Sequence, residues 1–201
     1  MGVVPKACLC KSLCVRSLAM GMPNAAKVEK EAISLSQQLD YFKEYIQRLK
    51  LAKGESVANE IIAEALYVFS IGTNNFILNY LVLPLRRAQY TTLEYVAYLI
   101  GLADAAVRDA YHLGARKIEF TGLGPFGCIP AVRTLNLDEP GCCNKDYNQL
   151  AIRFNTELQD AVRKLNGDLV GAHVDLKRTL RKVAVAQDAL RHPSSAAWES
   201  Q

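Results

Sequence analysis

The sequence has no apolar run long enough to cross a bilayer. The best candidate is YVAYLIGLADAAV, which Asp104 interrupts and Arg108 follows. A membrane-spanning helix needs about 20 mainly apolar residues, so this segment is too short and too polar. The amino-terminal residues include Lys6 and Lys11 but no continuous apolar core before a small-residue cleavage site. We therefore predict neither a transmembrane segment nor a secretory signal peptide.

A strong excess of one charge is also lacking. The net charge is +4 over 201 residues, and Lys and Arg mostly alternate with carboxylates, as in DYFKEYIQRLK from Asp40 to Lys50. This pattern is typical of a solvated helix face, so we expect no nucleic-acid partner. The sequence shows no internal repeat and no low-complexity segment. Hydrophobic residues make up 50% of the chain, which is enough for the core of one domain.

The chain has too few cysteines for a disulfide scaffold, six in all. Three lie near the amino terminus: Cys8, Cys10 and Cys14. Their spacing is irregular and no histidine is close, which falls short of a closed zinc site, so we predict no metal. Cys128 lies in a loop-rich stretch with Cys142 and Cys143, and a disulfide from Cys128 to either of them is possible. The sequence does not choose between the two partners.

Periodicity divides the chain into three parts. Residues 1–27 have no usable periodicity and contain Pro5 and Pro23, so we expect a divergent, disordered leader. Residues 28–192 carry helical and strand patterns. Residues 193–201 form a small polar tail.

Strand and helix patterns alternate within residues 28–192. Strands are predicted at Leu66–Ile71, Lys117–Phe120 and Leu169–Leu176. Helices are predicted before the first strand and after each strand. Thr91 or Thr92 caps the helix after the first strand, Asn144 caps the helix after the second, and the last helix covers Lys177–Leu190. This alternation predicts an α/β fold, a parallel sheet wrapped by helices. Because three strands are few for such a sheet, we expect an incomplete domain.

The apolar run at Leu66–Ile71 ends abruptly at Gly72, Thr73, Asn74 and Asn75. This pattern predicts a buried strand followed by a tight polar loop. In open α/β sheets, ligands bind at the loops that follow the carboxyl ends of strands. Gly72 allows a sharp turn, and the Asn74 amide is a neutral donor that can face a developing oxyanion. From these letters alone, an ordinary glycine–asparagine turn is the simpler interpretation.

Four blocks of the sequence together resemble one family. They are YFKEYIQRL, EALYVFSIGTNNF, LGARKIEFTGLGPFGCIPAVRTLN and CCNKDYNQLAIRFNTELQ. Their order and spacing over roughly residues 30–192 resemble plant GDSL esterase/lipases, a branch of the SGNH hydrolases. The resemblance implies a flavodoxin-like three-layer α/β/α sandwich with a parallel sheet. It also implies hydrolysis of carboxylic esters in lipids or small acyl metabolites, without a metal or organic cofactor; relatives are commonly secreted.

The resemblance also implies roles for residues of the glycine–asparagine turn. In the family a serine attacks the ester, a histidine takes its proton, and an aspartate orients the histidine. The family's Gly-x-Asn-Asp block falls on Gly72, Thr73, Asn74 and Asn75. Asn74 is therefore implied to be an oxyanion donor, and Gly72 the backbone turn that aims it. Asn75 stands where the family usually has an aspartate.

The family's other catalytic blocks have no counterpart here. The chain contains no Gly-Asp-Ser, and the late Asp-x-x-His block of the family is not found near its end. We therefore expect residues 28–192 to be a partial SGNH hydrolase domain, truncated at both ends, with nucleophile and base absent. The alternative to an esterase is a non-catalytic fragment or an acyl-ligand-binding pseudoenzyme. The oligomeric state stays open.

Some remaining side chains could substitute for the missing ones, but none fits well. Asp188 and His192 are one residue too far apart for the family block, so His192 is interpreted as a helix-end surface residue. His112 precedes a predicted helix end, where a cation is favourable. His173 is expected to be packed in a strand. Ser70 is expected to make a local hydrogen bond.

Overall fold

The computed structural model describes residues 12–16, 33–82, 86–134 and 141–177. A four-stranded parallel sheet lies at its centre, with the strands in chain order. The strands are β1 (Ser12–Arg16), β2 (Leu66–Ser70), β3 (Lys117–Thr121) and β4 (His173–Lys177). The predicted α/β fold with a parallel sheet is confirmed.

One strand lies where the sequence indicated none. Ser12–Arg16 falls inside the leader that we expected to be disordered, yet it pairs in parallel with β2 and adds a fourth strand to the three predicted. The edge of β2 presents backbone donors and acceptors that an extended segment can pair with. The letters SLCVR do not alternate strictly between apolar and polar residues, so the sequence pattern did not indicate this strand. The rest of the leader, the polar tail and the predicted helix after residue 177 lie outside the described residues.

Helices connect the strands. Before β2 lie α1 (Leu35–Lys53) and α2 (Glu55–Glu64). A π-helix (Asn75–Val82) and α3 (Thr92–His112) separate β2 from β3. A 3₁₀-helix (Phe126–Cys128), α4 (Pro130–Thr134) and α5 (Lys145–Asp168) separate β3 from β4. Of the helices within the described ranges, none is both long and apolar enough to span a membrane.

Side-chain caps fix the starts of the long helices. Ser34, Thr91 and Asn144 each accept a hydrogen bond from the backbone N–H three residues later. At α3 the cap is reciprocal, because the Glu94 carboxylate accepts from the Thr91 N–H at 2.7 Å. This backbone hydrogen bond, followed by the one from the Thr91 hydroxyl, lowers the pKa of Glu94.

The described helices cover one face of the sheet. Each strand is added on the same side of the previous one, so right-handed crossovers place α1, α3 and α5 on a common face. Accordingly α1 contacts α3, and α3 contacts α5. Alternate strand side chains point into this layer and are buried: Tyr67, Phe69, Ile118, Phe120, Val174 and Leu176. The described residues thus form two layers of a sandwich, and Leu66 on the other face is 37% exposed.

Phe76 ties the segment after β2 to three other elements. Its ring is fully buried and lies 5.6 Å from Tyr95, 5.8 Å from Phe126 and 5.7 Å from Phe154, measured between ring centroids. These rings belong to α3, the 3₁₀-helix and α5. The π-helix is therefore anchored at its first turn.

Candidate functional site

The carboxyl ends of the four strands lie side by side. The register pairs Arg16 with Ser70, Ser70 with Thr121, and Thr121 with Lys177. The loop after β2 and the loop after β3 therefore leave the sheet at the same edge. In open parallel sheets this is the edge where ligands bind.

The turn after β2 requires glycine at position 72. Gly72 has φ of +117°, which side-chain-bearing residues rarely adopt. A Cβ atom there would lie 2.9 Å from Leu123 Cδ2 and 3.3 Å from Phe154 Cζ. The backbone of the turn thus packs directly against the loop after β3 and against α5.

Asn75 closes this turn. Helical backbone begins at Thr73, and the Gly72 carbonyl accepts from the Phe76 N–H at 2.8 Å. The Asn75 Oδ1 reaches back and accepts from the Gly72 N–H at 3.2 Å. This is the arrangement of a capping box, in which the third helical residue satisfies the cap residue's own N–H. The amide at position 75 therefore holds the Gly72 backbone itself.

The nitrogen of the Asn75 amide has no hydrogen-bond partner among the described residues. Asn75 is fully buried, and its Nδ2 is the one buried side-chain polar atom in the described residues without a hydrogen bond. A buried donor left unpaired costs about 1–3 kcal/mol. This cost offsets part of the stabilisation that Asn75 gains from the hydrogen bond between its Oδ1 and the Gly72 N–H.

Asn74 lies at the open side of the turn. It is exposed, as is Thr73, while Gly72 and Asn75 on either side are buried. The first N–H groups of a helix have no partner within the helix and favour negative charge. The Asn74 amide therefore stands among donors at the carboxyl edge of the sheet, a setting in which a developing oxyanion can be stabilised.

Two buried asparagines of α5 hold the loop after β3. Asn155 Oδ1 accepts from the Leu123 N–H at 2.7 Å, and its Nδ2 donates to the Leu123 carbonyl at 2.9 Å. Asn148 Oδ1 accepts from the Gly127 N–H at 2.9 Å. The sequence analysis missed both residues. The signal was available, because they fall on the same helix face as the apolar residues of α5.

A disulfide fastens the same loop to the start of α5. The structure pairs Cys128 with Cys143, with Cα atoms 4.3 Å apart, and leaves Cys142 exposed beside it. Asn148 Nδ2 donates to Cys128 Sγ at 3.3 Å. The loop after β3 is thus held both covalently and by hydrogen bonds.

The structure does not bring a histidine to the Asn74 turn in the part of the chain it describes. His173 begins β4 and so lies at the amino ends of the strands, whereas Asn74 lies at their carboxyl ends; a five-residue strand is about 13 Å long. It is exposed, so the expectation that it is packed is wrong; β4 alternates, and His173 falls on the face of the sheet that the described helices do not cover. His112 is exposed at the end of α3. His192 and Asp188 lie outside the described residues.

Three side chains of the described residues have the types of the family's catalytic groups. Asp109 and His112 have Asp-x-x-His spacing, which was not predicted as a catalytic pair. Both are exposed at the end of α3, and this helix leads into the amino end of β3, at the edge of the sheet opposite the Asn74 turn. Ser70 is exposed at the last position of β2, two residues before Gly72. Within the described ranges no group of three or more His, Cys, Asp or Glu side chains could hold a metal ion.

Comparison with known proteins gives a consistent result. The family model described as GDSL-like Lipase/Acylhydrolase matches residues 12–197, so the match includes β1. The chain is 42% identical over 162 residues to GDSL esterase/lipase At2g42990 of Arabidopsis thaliana, covering 81% of this chain and 46% of the relative. It is 39% identical over 188 residues to GDSL esterase/lipase At4g26790 of the same plant, covering 94% and 53%. The chain spans about half the length of the curated relatives it matches.

Proposed function

The chain belongs to the GDSL-like lipase/acylhydrolase family, and from this premise we propose that its site serves the hydrolysis of carboxylic esters, with Asn74 as an oxyanion donor. The substrate is a lipid or small acyl ester. The observation that carries the proposal is the position of Asn74, exposed at the carboxyl edge of the sheet between two buried residues that fix its turn.

The chemistry assigns the amide a definite step. When a nucleophile adds to the ester carbonyl, the carbonyl oxygen becomes an oxyanion, and a fixed N–H donor lowers the energy of that state more than that of the substrate. A neutral amide donor does this without bringing a proton that could be lost. Gly72 contributes the turn that aims the amide, and Asn75 keeps the turn closed.

The nucleophile must come from a group that these 201 residues do not supply in the family's pattern, because they contain no Gly-Asp-Ser. Serine hydrolases that lack triad members retain only about 10³ to 10⁴ over the uncatalysed rate. We therefore propose that a polypeptide of these residues has little esterase activity by itself. The second candidate function, favoured by the same observation, is non-catalytic binding of an acyl ligand at the Asn74 turn.

The role of Asn74 is tested by exchanging the donor. Ester turnover is measured with a chromogenic acyl ester on the unaltered 201-residue chain, on Asn74→Ala and on Thr73→Ala. Thr73 is the matched control, because it is the exposed neighbour in the same turn. Wherever turnover is measurable, we expect Asn74→Ala to lower kcat by about 10² to 10³ and Thr73→Ala to leave it unchanged. Equal kcat in all three would remove Asn74 from the site.

Ligand binding and ester turnover together distinguish the two candidate functions. A non-catalytic acyl-binding chain binds a fatty-acid anion by calorimetry and loses affinity in Asn74→Asp, because the new carboxylate repels the ligand's. If the chain turns over ester at a rate typical of serine hydrolases, the non-catalytic alternative is wrong.

A further inference from the structure

Asn155 has an unusual position for a polar side chain. It lies on α5 and is 2% exposed, and both polar atoms of its amide are hydrogen-bonded. Oδ1 accepts from the Leu123 N–H and Nδ2 donates to the Leu123 carbonyl, so one side chain holds both backbone polar groups of one loop residue. An amide whose oxygen and nitrogen are both hydrogen-bonded in this way has little freedom to change rotamer. The loop after β3 is therefore fixed to α5 at Leu123.

Leu123 in turn fixes the turn after β2. Its side chain is 2% exposed, and its two methyl carbons would lie 2.9 and 3.3 Å from a Cβ on Gly72. At such distances the leucine packs on the Gly72 backbone itself, since no side chain intervenes. Gly72 is in turn hydrogen-bonded to the residues on the other side of Asn74. Its N–H donates to Asn75 Oδ1, and its carbonyl accepts from the Phe76 N–H.

We propose that Asn155 is a positioning residue for Asn74, acting through Leu123 and Gly72. The inference rests on the proposed function of Asn74 as an oxyanion donor. Oxyanion stabilisation depends on a donor held at a fixed place before the charge develops. Asn155 supplies this rigidity from α5, at a position 32 residues after Leu123 in the sequence.

The competing explanation is that Asn155 contributes to stability alone. The isosteric change Asn155→Asp separates the two, because it keeps an acceptor for the Leu123 N–H but turns an oxygen toward the Leu123 carbonyl. Asn148→Asp is the matched control. Asn148 is on the same helix and 3% exposed, and it holds Gly127 instead of Leu123.

The readout is the NMR spectrum and amide hydrogen exchange of the 201-residue polypeptide. Both variants are expected to unfold at lower denaturant concentration than the unaltered chain. Only Asn155→Asp is expected to shift the Gly72 amide and the Asn74 side-chain amide, and to speed exchange at Gly72 by about fivefold to tenfold, which corresponds to the loss of one hydrogen bond. Loss of stability without any change at Gly72 and Asn74 would overturn the proposal.

A second variant keeps the test decisive if Asn155→Asp does not fold. Leu123→Val removes the methyl groups that touch Gly72 and leaves the backbone bonds to Asn155 in place. The Gly72 and Asn74 signals are expected to shift, while the protection factor of the residue-123 amide, which corrects for the intrinsic exchange rate of valine, stays the same; unshifted Gly72 and Asn74 signals would refute the relay. Because neither readout needs ester turnover, a positive result combined with an unchanged kcat in Asn74→Ala would support the relay and contradict the proposed role of Asn74.

Discussion

Replacement of Gly72 by alanine tests the geometry on which the site depends. The φ of +117° lies where a side chain costs about 1–2 kcal/mol. The added Cβ would also lie 2.9 Å from Leu123 Cδ2, and Asn155 holds that leucine's backbone in place. Overpacking of a buried contact costs about 1–3 kcal/mol. We expect Gly72→Ala to lower the free energy of unfolding by about 2–5 kcal/mol, a large part of the total for a domain.

Two other glycines separate the contributions in urea denaturation. Gly54 has φ of +82° and nothing within 4 Å of a Cβ, so Gly54→Ala should cost only the conformational part, about 1–3 kcal/mol. Gly101 lies inside α3 with open space around it, so Gly101→Ala should stabilise the protein by about 0.5–1 kcal/mol. If Gly72→Ala costs no more than Gly54→Ala, the close contact with Leu123 has been misjudged.

Further predictions concern the disulfide and the start of α3. The Cys128–Cys143 bond closes a loop of 15 residues, so Cys143→Ser should lower the free energy of unfolding by about 3 kcal/mol, while Cys142→Ser should change it by less than about 0.5 kcal/mol. A larger loss in Cys142→Ser than in Cys143→Ser in thermal denaturation would mean that Cys142, and not Cys143, is bonded to Cys128. Thr91→Ala should cost about 1 kcal/mol, and an unchanged midpoint would argue against the cap. Because hydrogen bonds lower the pKa of Glu94 below its ordinary value, the carboxylate stabilises the fold above that value and the contribution is lost as pH falls through the lowered pKa. The acid limb of the stability curve should therefore flatten in Glu94→Gln, and an unaltered limb would contradict the lowered pKa.

The sequence was sufficient where local chemistry decides the structure. The strand before Gly72 begins at Leu66 as predicted and ends at Ser70, one residue before the predicted end, and Thr91 and Asn144 cap helices as their types predict. The π-helix over NFILNYLV could not be found in this way. Its letters are mostly apolar, so no period distinguishes one kind of helix from another or from a strand.

The parts that the sequence did not predict depend on partners far along the chain. Asn155 bonds a residue 32 positions earlier, and no local pattern identifies a backbone N–H as its partner. The choice between Cys142 and Cys143 depends on which Cβ points toward Cys128, and adjacent residues differ only in that direction. Pairing of β1 likewise depends on the free edge of β2 rather than on the letters of Ser12–Arg16.

We propose that these 201 residues carry the part of an ester-hydrolysing site that stabilises an oxyanion but not the serine that creates one. The direct measurement is the intact mass of the purified polypeptide after incubation with a serine-directed fluorophosphonate. The account predicts an unchanged mass under conditions in which an intact serine esterase is fully modified. A mass increase that peptide mapping assigns to any serine of this chain would contradict it.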